Sequence, residues 1–388
     1  MSDSPGRDPL RSEPGAVSPA MIAASAVIPG VGHVLAGRRQ QGALLMTAWL
    51  LAVTLAIGAW SRIAAVPATG SADDWIAVGT LLAMLLSVWF AGTIGLARSH
   101  GGHSANRDSQ VSDAWRRFRR SRTAMAGLAA IVILYAVVLL TPLIAPYDPG
   151  ARVGDLAQVR LLPPSREFLL GTDRLGRDIL SRILHAGRIS LTIGFVATAI
   201  SIFVGTAIGA IAGYAGGRID TTLMRFTDIV LSFPRLVLLI LIVSLFGRSI
   251  TVLILVLGLT QWPSTTRIVR GDVLSIRERE YIMAAQALGF GRVRIIMRHV
   301  IPNVLGPVIV AATLGIGNTI VLEAGLSFLG LGPPSPTPTW GVMIEGGRDV
   351  LLSHWWVATF PGFAIVAVVL AFNLVGDGLR DALDPRLR

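Results

Sequence analysis

The chain of 388 residues has no Cys and no Lys, so all 34 of its basic residues are Arg. That excludes a thiol nucleophile, a disulfide, an iron–sulfur cluster, a Schiff-base lysine and a lysine-bearing phosphate loop. If this chain works with ATP, another chain must bind the nucleotide. Glu323 is the one clear carboxylate inside an apolar run. A carboxylate there costs about 2.5–3.5 kcal/mol on insertion scales, so it marks a pathway or a structural hydrogen bond. Ser327 lies one helical turn beyond it. Pro234 and Arg235 sit low in another apolar run, where a kink would shape a pathway, while Asp228 suits a helix N-terminus. His100 and His103 lie in a Gly/Ser stretch with no third ligand nearby, so no metal site is expected. No Ser/His/Asp order and no carboxylate pair suggests catalysis.

The elements that position these residues are membrane spans. Hydrophobic residues make up 53% of the chain and charged residues 15%, against about 25% charged in soluble domains. Eight runs are long and apolar enough to cross a bilayer: 42–60, 75–97, 125–145, 189–212, 229–247, 249–266, 304–330 and 355–376. A ninth, 19–36, is short and broken by Pro29, Gly30 and Gly32. Residues 1–18 read as a disordered tail. The net charge of +11 is held in Arg clusters between apolar runs, which fits a cytoplasmic membrane face and not nucleic acid.

Segments 98–124 and 264–298 each carry seven Arg. Both belong inside, which places the C-terminus inside as well. Residues 148–188, with seven Arg and five acids, then fall outside. The sequence divides into a tail (1–18), an N-terminal membrane hairpin (19–97), an Arg-rich cytoplasmic linker (98–124) and a six-span domain (125–388) with a cytoplasmic loop at 264–302. Within 28–45, Gly30, Gly32 and Gly37 suit a tight re-entrant turn or close helix packing, and the hairpin reads as a packing element.

The most informative segment follows the span at 249–266. Tyr281, Ala284, Ala285 and Leu288 fall on one face of a short helix. Gly289 stands where a left-handed cap belongs, and a second short helix from Val293 to His299 is expected to stop at Pro302. Small Ala residues on an exposed ridge would let another protein approach closely.

This string resembles the EAA loop of ABC importer permeases. Ala284, Ala285, Gly289 and Pro302 match at the right spacing, Met283 replaces the usual Glu, and His299 replaces a common Ile. Four further strings resemble the dipeptide/oligopeptide/nickel branch: 170–191, 216–234, 262–281 and 323–344. The resemblance implies an all-α polytopic protein with a six-helix type I permease core, here preceded by an extra membrane hairpin. It implies a bacterial plasma membrane location, a sister permease, two cytoplasmic ATPases that hold the ATP and Mg, and an extracytoplasmic substrate-binding lipoprotein. This chain would hold no cofactor and would not be an enzyme.

Tyr281, Met283, Ala284, Ala285, Ala287, Leu288, Gly289, His299 and Pro302 would couple to an ATPase, with His299 fixing the loop against neighbouring backbone. Pro234, Glu323 and Ser327 are candidates for the pathway. Pro334, Pro336, Trp340 and Gly341, in a stiff outer loop with Pro333 and Pro338, would meet the binding protein. His354, Trp355 and Trp356 read as an interfacial anchor. The expected cargo is di- or oligopeptides, with a nickel or other metal chelate, a glycan fragment or another small solute as the alternative. A stand-alone ion-coupled transporter or a membrane enzyme usually buries several ionisable groups, and Glu323 is the only clear case in the sequence.

Overall fold

A computed structural model describes residues 21, 24–25, 28–35, 39–58, 63, 81 and 110–383. The chain forms two compact units, residues 1–107 with Leu139–Ile144, and residues 108–138 with 145–388. The tail 1–18, most of the span at 75–97, linker residues 98–109 and the pair His100 and His103 lie outside the described residues, as do 384–388.

In the first unit, α1 (Arg39–Gly58) matches the expected span at 42–60. A turn of helix at Val31–Leu35 packs against it. Gly30 has φ +99°, and a Cβ on Gly42 would stand 2.7 Å from the Gly30 carbonyl oxygen. Close packing therefore involves Gly30 and Gly42. Gly37, expected to share in it, lies outside the described residues.

The second unit is helical. Its elements are α2 (Gln110–Arg120), α3 (Arg122–Leu139), α4 (Ile179–Ala215), α5 (Gly217–Ser232), α6 (Arg235–Phe246), α7 (Ile250–Arg277), α8 (Glu280–Ala287), α9 (Ile301–Leu326), α10 (Trp340–Gly347) and α11 (Trp356–Leu383). Within it, five helical paths are apolar and long enough to cross a membrane, and the bent pair α5–α6 raises the number to six. This is a six-span, all-α arrangement.

The later half of the expected linker is the helix α2, which packs on α11. Phe118 is buried with Ala124, Val375 and Ala382, while Arg119 and Arg120 face out. Asp178 caps α4 by accepting from the Ser181 N–H at 2.7 Å, and Gly216 at φ +65° ends it. Asp173 accepts from Arg177 at 2.8 Å and lies 3.5 Å from Arg182. These internal pairs offset the charge of the 148–188 segment.

The long contact between α4 and α7 is the spine of the unit. It is made by Gly205, Gly209 and Gly213, one per turn. A Cβ on Gly209 would stand 2.7 Å from the Thr266 carbonyl oxygen and 2.9 Å from Val269 Cβ. Small residues at this spacing let helices pack backbone to backbone in a membrane. Gly209→Leu is expected to force the helices apart at a cost of roughly 1–3 kcal/mol or more. The check is a melting curve of the purified variant in detergent, and an unchanged curve would refute the packing argument.

Two expected spans change shape. The run 229–247 is not one helix. Phe233 precedes Pro234, which bars it from the helical region, and it adopts φ −85°, ψ 133°. The chain breaks there, and α5 meets α6 at 81°. The expected loop from 264 is helical as far as Arg277. Its polar residues stay in the helix because Arg267 pairs with Asp228 at 2.7 Å, and Arg270 grips Asp220 at 2.5 and 2.7 Å. The exposed connection shrinks to the stretch around α8.

Candidate coupling and translocation site

Helix α8 is short, and its cap holds it in place. Gly289 at φ +77° donates to the Gln286 carbonyl at 2.9 Å, and Phe290 donates to the Ala285 carbonyl at 3.1 Å. This pair of bonds is a Schellman closure, and it requires a left-handed residue at 289. The inner face of the helix is Ile282, 0% exposed, and Ala285. They pack with Val269, Val273 and Ile276 of α7, Tyr214 of α4 and Val304 of α9. Gln286 Nε2 donates to the Tyr214 hydroxyl at 3.2 Å.

The outer face differs from the expected one. Tyr281, Met283, Ala284, Ala287 and Leu288 are exposed, but Ala285 is buried, because Ile282 and Ala285 share the side turned to the core. Leu288 at 73% and Val293 at 75% exposure continue the surface, and Met297 extends it. A large apolar surface of this kind marks a binding face.

Pro302 does not stop a helix. Residues Arg292–Leu331 form one helical path, and Pro302 sits in the first turn of α9. A π turn at Ile296–Val300, closed by the Ile301 N–H on the Ile296 carbonyl, shifts the hydrogen-bond register just before the residue that lacks a donor. His299 is half-buried in that turn, and its carbonyl accepts from Asn303 at 2.6 Å. Its ring makes no hydrogen bond among the described residues, so the loop is anchored by Ile282 and Gln286 rather than by His299.

Glu323 is 0% exposed and Ser327 is buried beside it. The Ser327 hydroxyl donates to Glu323 Oε1 at 2.7 Å, and the Thr339 hydroxyl also faces this carboxylate. Thr339 caps α10 by accepting from the Val342 N–H at 3.2 Å. Through Thr339, Glu323 ties α9 to α10, Ser327 holds it from within its own helix, and neither lines an open path, as a pathway role would require. Pro234 is exposed, at the α5–α6 break.

Pro334 and Pro336, expected to meet a binding protein, are exposed. Trp340 and Gly341 are not. Trp340 is 2% exposed, its Nε1 donates to the Ile183 carbonyl at 3.1 Å, and its backbone N–H donates to Ser190 Oγ at 3.2 Å. A Cβ on Gly341 would stand 2.6 Å from Ser327 Cβ. Both belong to the core that joins α10 to α4 and α9. Trp356 is buried too, and Trp355 is exposed. Beside α10 an open cavity of about 310 Å³ is lined by Arg174, Arg177, Arg182, Glu345 and Asp349. Arg174 bonds Asp349 at 3.1 Å and holds its carboxyl below the usual carboxylate range.

One group noted in the sequence beside Pro234 was given no role there. Arg235, at the start of α6, is half-buried, and its Nη2 donates to Gln261 Oε1 at 2.9 Å and to the Leu257 carbonyl at 3.3 Å. Gln261 Oε1 also lies 3.1 Å from the Thr319 hydroxyl, which is 3.1 Å from that of Thr198. Gln261 is eleven residues into α7, about 16 Å along it. Arg235 is therefore an ionisable group inside the spans with no carboxylate partner among the described residues. The signal was present as a lone Arg beside a helix-breaking Pro.

These spans and the exposed helix α8 describe a polytopic membrane protein, and comparison with known proteins narrows the class. Residues 205–388 match the binding-protein-dependent transport system inner membrane component, and residues 109–164 match the N-terminal TM domain of oligopeptide transport permease C. The chain is 41% identical over 281 residues to the dipeptide transport system permease protein DppC of Bacillus subtilis (strain 168), covering 72% of this chain and 87% of that protein. It is 39% identical over 286 residues to the di/tripeptide transport system permease protein DppC of Pseudomonas aeruginosa (strain UCBPP-PA14), covering 72% and 93%. It is 39% identical over 280 residues to the oligopeptide transport system permease protein OppC of Bacillus subtilis (strain 168), covering 71% and 90%. The chain belongs to the family of binding-protein-dependent transport system inner membrane components. The matched N-terminal TM domain begins at residue 109, so the helix α2 lies within it.

Proposed function

We propose that this chain is one of two membrane-spanning subunits of an ATP-driven importer of di- or oligopeptides. The relatives named for dipeptide, di/tripeptide and oligopeptide transport support the cargo. The observation that carries the mechanism is α8, an exposed apolar helix rooted in the bundle through Ile282 and Ala285. A cytoplasmic ATPase binds Tyr281, Met283, Ala284, Ala287 and Leu288. ATP and Mg are held by that partner. Closure of the ATPase pair displaces α8, and its packing against α4, α7 and α9 passes the displacement to three spans at once. The bundle thereby changes between two arrangements, which is the physical content of alternating access. This places α8 and the C-terminus in the cytoplasm. A binding protein delivers the peptide to the opposite face, where Pro334 and Pro336 are exposed.

The test is gentle-detergent purification from the native host with mass spectrometry, followed by uptake into vesicles. A sister permease, two ATPases and a binding protein should co-purify, and uptake of a labelled dipeptide should require ATP. Uptake of a nickel chelate in place of the peptide would overturn the cargo. ATP-independent uptake by this chain alone would overturn the importer.

A further inference from the structure

We infer that Arg235 recognises the terminal carboxylate of the transported peptide in the pathway. The inference rests on the peptide reading above and deepens it.

Arg235 is held by neutral groups only. Gln261 Oε1, the Leu257 carbonyl and, at 3.5 Å, the Thr260 hydroxyl accept from Nη2 and Nε. The two N–H groups of Nη1 make no hydrogen bond, and no carboxylate pairs with Arg235, among the described residues. Two cations further along α7 are treated differently, since Arg267 and Arg270 each have an Asp on α5. Arg235 is fixed in direction by neutral acceptors that leave its charge uncompensated among the described residues. A guanidinium so placed does not face lipid, because a bare charge there lacks both water and counter-ion. It faces a space that admits an anion.

The surroundings fit one class of anion. The α5–α6 break opens beside Arg235, and Phe226, Ile229, Phe233, Leu236 and Val237 around it are exposed. An apolar wall with one cation suits a ligand with variable side chains and a single invariant negative end. Every linear peptide has that end, whatever its sequence. Guanidinium donors bind carboxylate oxygens with charge-assisted hydrogen bonds. Gln261 sets the direction of the guanidinium and is in turn held by Thr319, so the site is pre-oriented by α7 and α9.

The test uses the assembled transporter without its binding protein, so that protein's own selectivity does not enter. Saturation-transfer NMR compares a hydrophobic dipeptide with its C-terminal amide. The wild type should bind the free acid more tightly. Arg235→Gln should weaken the free acid by at least about tenfold and leave the amide unchanged. Arg235→Lys, which keeps the charge, should retain the preference. Equal binding of acid and amide by the wild type overturns the inference. So does an assembled Lys variant without preference, even where the Gln variant does not assemble. Loss of acid and amide together in the Gln variant means that Arg235 pairs with a carboxylate of the sister permease, and overturns it too. Peptide uptake by the wild type with ATP and binding protein is measured in parallel. Its failure sinks the peptide reading itself, whereas intact uptake with any overturning result removes only the role of Arg235.

Discussion

Gly289→Glu is expected to reduce ATP-driven transport at least about a hundredfold, close to 2.7 kcal/mol of coupling, while leaving the protein inserted and folded. Two effects add. At φ +77° an L-residue costs roughly 1–2 kcal/mol, and the closure that ends α8 depends on that conformation. The carboxylate also stands beside Leu288, on the apolar face that the proposed ATPase would cover, where an unpaired charge is costly to desolvate. Gly289→Ala separates the two. A Cβ there meets nothing within 4 Å, so Ala brings backbone strain without charge. Its transport should stay within roughly tenfold of wild type. Uptake into vesicles, with the amount of inserted protein measured alongside, gives both numbers. Normal uptake by the Glu variant would remove α8 as the coupling element.

The spans were legible because a membrane imposes length and composition, and seven of the eight expected runs return as helices or parts of helices, the eighth lying mostly outside the described residues. The cap at Gly289 was legible because the left-handed position after a helix selects Gly. The face of α8 was not. Its sequence is apolar on both sides, so periodicity alone does not choose between Tyr281 and Ile282. The length of α7 was hidden for a different reason. Arg267 and Arg270 read as loop residues until their partners, Asp228 and Asp220, are brought beside them from 39 and 50 residues away. Arg235 was hidden by its neighbour. Pro234 drew attention to a kink, and only the break it makes brings the guanidinium to Gln261. Glu323 was recognised as buried, but its neighbours Ser327 and Thr339 make it a tie between helices. Local pattern locates elements, and long-range pairing assigns their polar residues to structure or to function.

Trp340 provides the sharpest contrast between those two assignments. A Trp in a Pro-rich outer loop reads as a docking residue, but in the structure it fills the junction of α10 with α4 and packs among Val138, Ile179, Ile320 and Trp356. Trp340→Ala is expected to cost about 3–5 kcal/mol, because it removes a large buried ring and leaves a cavity. It also leaves the Ile183 carbonyl without its donor. Trp340→Phe keeps most of the volume and loses that hydrogen bond, worth about 1 kcal/mol. The measurement is a melting curve of the purified chain in detergent with no binding protein present. A core role gives a large loss for Ala and a small one for Phe, both visible in the isolated chain. A docking role gives unchanged melting for both variants and a weaker complex with the binding protein. Gly341 follows the same logic, since a Cβ there would meet the backbone of Ala324 at 2.7 Å. Pro334 and Pro336 remain exposed on this side, clear of the core that Trp340 holds together.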